Sequence, residues 1–513
     1  MHRPPSAEAE IGAELAEERP GLVARYAQEL PGARASVLTR LWRALAHEPL
    51  PWIGGRERVR DGLLVRLRDG RRLYGPAADP YATAGYVSSV RLDGRDYTDP
   101  GRLTADLGVP HGAAFAAEVA HSAASLALSR ADALPSPADP RERPARDWEW
   151  EQRVADGHPF HPGCRSRPDF SVAEQLAYAP EHRPVVELVL APVPAAECLV
   201  SGAWPKELRD GARLLVPVHP WQAEHVLKRP GGDRVIAAHP LMSLRTLALP
   251  GGPHVKTALS ARLTSSVRDV SVASVAASAA LSAFAEELAD RTDGLLHVTR
   301  TLGAATAYSP DLAAVWRESP ALYAAPGEHV LPVAALPGAG LPDSPAWLAR
   351  FTRLALGVGL RLLELGAALE AHGQNLLVVL SASGEPLRLV YRDLADIRVS
   401  PARLARHGVP APELPARNLT DDPVALRRKL FGSLVAGALA GTAGSGAALR
   451  DALESVVREL PHSEDLTALC EAPVPAKALT LMRLSPATPG DQWTELPNPL
   501  ARGPVLERGA FDQ

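Results

Sequence analysis

Strand-patterned segments gather in the middle of this chain, and helical patterning holds both flanks. Val185 to Val193 and Arg213 to Val218 read as strands. Leu244 to Leu249 and Val255 to Leu259 read as another pair, joined by Pro250-Gly251-Gly252-Pro253. Residues 8 to 47 read as helical, and Ala105 to Ala131 as a helix interrupted near Pro110. Ser271 is placed to cap an Ala-rich helix, Ala346 to Ala371 reads as a strongly amphipathic helix, and the chain from about Val424 is mostly helical. Hairpins are expected at Leu63 to Tyr74, around Asp69-Gly70, and at Leu376 to Tyr391, around Ser383-Gly384. Pro326 to Pro345 reads as loop. The pattern predicts an α+β fold in three regions, residues 1–140, 141–345 (β-rich) and 346–513 (largely helical), with a Pro/Asp/Arg-rich first boundary at 133–146.

Composition removes several function classes. A net charge of −4 argues against a general nucleic-acid or anionic-membrane binder, while leaving room for a local basic pocket. Cys164, Cys198 and Cys470 have the spacing of neither a zinc cluster nor a disulfide framework. No apolar segment follows the N-terminus, and Val272 to Phe284 is too short and polar to span a bilayer, so a cytoplasmic location is expected. Of 55 basic residues only Lys206, Lys228, Lys256, Lys429 and Lys477 are lysines. A lysine that survives so strong an arginine bias is more often needed as lysine.

Three motifs carry chemistry. Gly157-His-Pro-Phe-His-Pro162 precedes Arg165 and Arg167; the prolines hold His158 and His161 on extended backbone, which suits an anionic ligand better than zinc. Ser243-Leu-Arg245-Thr246, Lys256 and Thr264-Ser265-Ser266-Val-Arg268 form the densest cluster. Hydroxyls donate to phosphate or carboxylate oxygens, arginine adds a planar fork, and lysine adds a point charge. Alternation along a strand would point Ser243 and Arg245 the same way. Glu370-Ala-His372-Gly-Gln-Asn375 followed by Asp393 joins a helix end to a glycine turn, and a hairpin bringing Asn375 and Asp393 together can hold Mg²⁺ beside phosphates.

In this order, with Val218-His-Pro-Trp-Gln222 between the first two, these motifs resemble the NRPS-independent siderophore synthetases, the aerobactin-synthetase-like family. Weaker matches are Glu151, Arg317-Glu-Ser-Pro320, Lys477 with Met482-Arg-Leu484, and Asn498-Pro499. The resemblance implies a hand-like fold, with thumb, β-rich fingers and helical palm around a central ATP and acid cleft. It implies ATP and Mg²⁺ as cofactors, a carboxylic acid (often citrate) and an amine as substrates, and a homodimer. An acyl adenylate would form first, and the amine would then displace AMP. By the same resemblance Ser243, Arg245, Thr246, Lys256, Thr264, Ser265, Ser266 and Arg268 hold phosphates or the acid, with Arg268 at the α-phosphate. His158, His161, Arg165 and Arg167 face the acid, and His372, Asn375, Asp393 and Glu370 hold nucleotide and metal. The family usually carries lysine where Arg165 stands, often glycine at Asp169, and often glutamate near Thr299-Arg300-Thr301; these departures bear on the acid. A small-molecule kinase is the competing enzyme, though it lacks an upstream glycine-rich loop. A catalytically idle binder of an anionic metabolite is the competing non-enzyme.

Overall fold

The computed structural model describes residues 6–134, 143–229, 234–263 and 266–501, with backbone only at 266–268. It is a mixed helix and sheet structure. Near the N-terminus, helices Ala7–Glu18 and Val23–His47 are separated at Pro20, which cannot continue a helix from within. They pack with Pro100–Asp106 and Gly112–Ala131 over a five-stranded meander that contains the expected Asp69-Gly70 hairpin. Leu38, Leu41, Trp42, Leu103 and Leu126 fill that core.

The middle of the chain forms a nine-stranded sheet whose paired strands all run antiparallel. Thr246–Ala248 and His254–Thr257 pair across the Pro-Gly-Gly-Pro turn, and Ala313–Arg317 lies on the far side of His254–Thr257. Ser271 caps Val272–Asp290, accepting from the Ser274 N–H. By length and composition alone that helix could cross a membrane. In the fold it lies on strands Leu199–Gly202, Leu296–Val298 and Thr301–Thr306, and buries Leu281, Phe284 and Leu288.

The long helix Pro345–Leu365 stops six residues short of Ala371. Gly366 (φ +112°) ends it in a left-handed conformation, and Ala367–Ala368 then forms a short strand. The Glu370–Asn375 motif is therefore a turn between strands, not a helix end. The following hairpin, Leu376–Leu380 with Pro386–Tyr391, forms as expected. Its sheet gains His329–Pro332 from the segment read as loop.

The C-terminal helix Leu479–Leu484 docks back on the N-terminal core, where Leu484 is buried. Glu48, 1% exposed, accepts from the Thr480 and Leu481 N–H groups at 3.1 and 2.7 Å. Burial pushes its carboxyl from the ordinary 4.5 up to about 7. Because the folded state holds this proton more tightly than the unfolded chain, the contribution is full below about pH 4.5 and lost as pH rises through about 7. Glu48→Gln should therefore flatten the unfolding free energy across that window by about 3 kcal/mol, as urea titrations at several pH values would read. An unchanged slope would remove this assignment.

Candidate functional site

A cleft of about 230 Å³ opens between the nine-stranded sheet, the N-terminal half of Val272–Asp290 and the turn after Tyr391. Arg245, Lys256, Arg317 and Arg417 line it, with Asp269, Asp393 and Asp396. Lys256 and Arg317 come from adjacent strands of the sheet. Both are buried, at 8% and 6% exposure, so their aliphatic stems sit in the sheet and their charged ends meet in the cleft.

Lys256 Nζ donates to both Asp393 oxygens, at 2.7 and 2.8 Å. Burial lowers the ammonium to about 8, and Arg245 and Arg317 push the same way against the opposing pull of Asp393. Burial works against the Asp393 charge, but Lys256 and Arg317 outweigh it and hold the carboxyl far below its usual range. One carboxylate thus sits among three cations, and the surplus positive charge faces the cleft.

The turn carrying Ser243 and Arg245 departs from the expectation. Strand pairing begins at Thr246, and Leu244 adopts φ +62°, so alternation along a strand does not set these two side chains. Ser243 Oγ instead accepts from the Thr246 N–H at 3.1 Å and shapes the turn. Arg245 reaches the Asp269 carbonyl, and its own carbonyl accepts from the Thr257 N–H at 2.8 Å. Thr264 and Ser265 lie outside the described residues. For Ser266 and Arg268 the backbone strand Ser266–Arg268 pairs with Leu259–Leu263, placing Arg268 opposite Leu259.

In the histidine loop His161 is buried and His158 is exposed. The Nδ1 atoms of His158 and His161 accept from the Phe160 and Gly163 N–H groups at 3.2 and 2.8 Å, so each neutral ring carries its proton on Nε2. Although His158 is exposed, desolvation by the surrounding protein, then the nearby His161 and His372, shift it toward the neutral form. Arg40 of the N-terminal helix fastens this loop through the Pro159 and Asp156 carbonyls, at 3.0 and 3.2 Å.

Arg165 and Arg167, expected at the acid, have their donors engaged elsewhere. Arg167 pairs with Glu181 at 2.7 Å, and Arg165 lies 3.5 Å from the same carboxylate while donating to the Ala155 and Val154 carbonyls. Neither lines the cleft. A buried guanidinium needs a counter-charge, and Glu181 supplies it to both. Asp169 likewise serves the fold, accepting from the Arg262 N–H at 2.7 Å. At the third departure Arg300 pairs with Glu318, while Thr299 and Thr301 line the cleft.

Glu370, expected at a metal, is engaged in two ion pairs. Its two oxygens are held by Lys477 at 2.8 Å and Lys429 at 3.0 Å. Burial opposes its charge, but the two lysines outweigh that and hold it at about 2. Among the described residues no group of three or more His, Cys, Asp or Glu could hold a metal ion. His372 is half-buried and shifted toward the neutral form mainly by desolvation, with Nδ1 accepting from the Gln374 N–H at 3.2 Å. Asn375 donates to the Glu370 carbonyl at 3.4 Å. The scarcity of lysine was the available signal for this cluster: Lys256, Lys429 and Lys477 each hold a carboxylate. Nothing local marked Arg417 or Asp396.

Residues 147–338 match the model of the IucA / IucC family, and residues 345–491 match a ferric iron reductase FhuF-like transporter model. Among curated proteins, the chain is 24% identical over 317 residues to the citryl-spermidine/3,4-dihydroxybenzoyl-citryl-spermidine:spermidine ligase of Bacillus anthracis, covering 48% of this chain and 51% of that one. It is 26% identical over 314 residues to the protein y4xN of Sinorhizobium fredii (strain NBRC 101917 / NGR234), covering 47% and 50%. The matches span about half the length of these curated relatives. The fold is similar to the crystal structure of the petrobactin biosynthesis protein AsbB of Bacillus anthracis, with TM-score 0.74, 19% identity, and 93% and 98% of the two chains covered. It is also similar to ATP-bound aerobactin synthetase IucA of Klebsiella pneumoniae, with TM-score 0.71, 20% identity, and 91% and 99% covered.

Proposed function

We propose that the chain, which matches the IucA / IucC family model over residues 147–338, is an ATP-dependent ligase of siderophore biosynthesis. It adenylates citrate or a related di- or tricarboxylic acid, or its monoamide, and condenses the product with an amine or hydroxylamine. The observation that carries this reading is the set of Lys256, Arg245 and Arg317 around Asp393 in one cleft. The relatives named as a citryl-spermidine ligase and an ATP-bound synthetase support it.

The difficulty of the first step is bringing a polyanionic acid to a polyanionic nucleotide. Fixed cations in a partly dehydrated cleft offset that repulsion without reorganising during the reaction. A carboxylate oxygen attacks the α-phosphorus and pyrophosphate leaves. The amine then attacks the acyl carbon, AMP leaves and the amine loses a proton. Lys256 and Arg245 stabilise the phosphates in this reading, with Arg268 assigned to the α-phosphate. His161 is the candidate contact to the acid. Mg²⁺ typically takes one or two carboxylates plus substrate phosphates, so Asp393 is the residue that would hold it, and the ion would supply shielding of phosphate charge.

Crossing a panel of di- and tricarboxylic acids with amines in a pyrophosphate-release assay, with products weighed by mass spectrometry, tests the reading. Acid-dependent pyrophosphate and AMP with a condensed product is expected. ADP with a phosphorylated product would instead establish a kinase, and ligand binding without nucleotide turnover an idle binder.

A further inference from the structure

Glu151 is 2% exposed, on the short helix Asp147–Gln152, and touches two segments far apart in sequence. Its carboxylate takes both terminal nitrogens of Arg392, at 2.7 and 3.0 Å. The oxygen facing Arg392 Nη2 also accepts from the Met242 N–H at 3.0 Å. Arg392 Nε donates in turn to the Gln374 carbonyl at 3.0 Å, beside Asn375.

Each segment held by Glu151 leads into a strained residue. Leu244, two residues after Met242, has φ +62°, and Asp393, next to Arg392, has φ +71°. Non-glycine residues keep a left-handed backbone only where the surroundings over-determine it. One strained turn presents Ser243 and Arg245; the other presents Asp393 to Lys256.

We propose that Glu151 is a positioning residue, whose carboxylate sets the spacing between the Ser243–Thr246 turn and the Arg392–Asp393 turn across the cleft. It touches none of the residues proposed to hold phosphate. It acts through Met242 and Arg392, and a shift at either end changes how far Arg245 stands from Asp393. The effect on nucleotide rests on the ATP-ligase reading; the coupling of the two turns does not.

Glu151→Gln keeps the shape but turns an amide NH₂ toward either the guanidinium or the Met242 N–H, donor against donor. Hydrogen exchange followed by mass spectrometry reads the outcome on the whole chain. Peptides spanning 241–248 and 391–397 are expected to exchange at least about tenfold faster together, with the helices Val23–His47 and Gly112–Ala131 unchanged. Loosening of one turn alone, of neither, or of the whole molecule alike would overturn the proposal. In Arg392→Lys, Glu151 still accepts from Met242, so only 391–397 should loosen. Equal loosening of both turns there would assign the spacing to the ion pair and not to Glu151, again overturning it. ATP titrated calorimetrically into Glu151→Gln should bind at least about tenfold more weakly than to the wild type, and equal affinity would overturn the proposed effect on the cleft. A wild type that binds no ATP would sink the ligase reading, while the exchange results still decide the coupling.

Discussion

Lys256→Ala should lower acid-dependent pyrophosphate release by about a hundredfold to a thousandfold, the range seen when one fixed donor to developing charge is removed. The argument rests on place and charge together. Lys256 Nζ touches both oxygens of Asp393, the carboxylate proposed to meet Mg²⁺, and faces the cleft among Arg245 and Arg317. Losing one partner of a buried ion pair costs about 3–5 kcal/mol of stability. Here Arg317 and Arg245 still attract Asp393, so the cost should fall toward the low end. Thermal unfolding of the same variant separates the two effects: a folded protein with lost turnover supports the cleft, and wild-type turnover would remove it. The ammonium also has a pH signature. Its protonated form is depleted as pH rises through about 8, so ATP affinity should decline there, by at most about tenfold per pH unit. In Lys256→Ala that decline should disappear.

Glu181→Gln should destabilise the protein by about 3–5 kcal/mol without entering the cleft. Glu181 is fully buried, takes Arg167 and the Ser129 hydroxyl at 2.7 Å, and faces Arg165 at 3.5 Å. The variant leaves two buried guanidiniums sharing a neutral amide. A fall in melting temperature on the order of 10 °C is expected, since ~1 kcal/mol moves a domain of 150–250 residues by about 2–4 °C. Burial works against the Glu181 charge, but Arg165, Arg167 and His182 outweigh it and hold the carboxyl well below the usual range. This contribution is therefore complete above about pH 4.5 and lost only as pH falls toward the depressed value. Glu181→Gln should lose that acid-side slope. A melting temperature within a degree or two of wild type would return Arg165 and Arg167 to the list of acid-binding candidates.

Much of the local structure was legible in the residues. Ser271 capped its helix, and the hairpins at Asp69-Gly70 and Ser383-Gly384 formed, because a cap or tight turn depends on residues only a few positions apart. The helix boundary at Gly366 was missed because apolar periodicity runs past it and a left-handed terminator looks like any other glycine in sequence. The Ser243–Arg245 reading failed similarly, since nothing local announces that Leu244 takes a positive φ.

The sequence by itself determined that hydroxyl and cationic side chains are concentrated between Ser243 and Arg268, and that lysines are few. Only the tertiary structure decided which charges face a ligand and which close on one another. Lys256 and Asp393 are 137 residues apart, and Glu151 and Arg392 are 241 apart. Arg165 and Arg245 carry the same guanidinium. One meets Glu181 in the interior and the other lines the cleft. A buried charge must find a counter-charge, and the distant chain supplying that partner decides whether the side chain holds the fold together or remains available to a substrate.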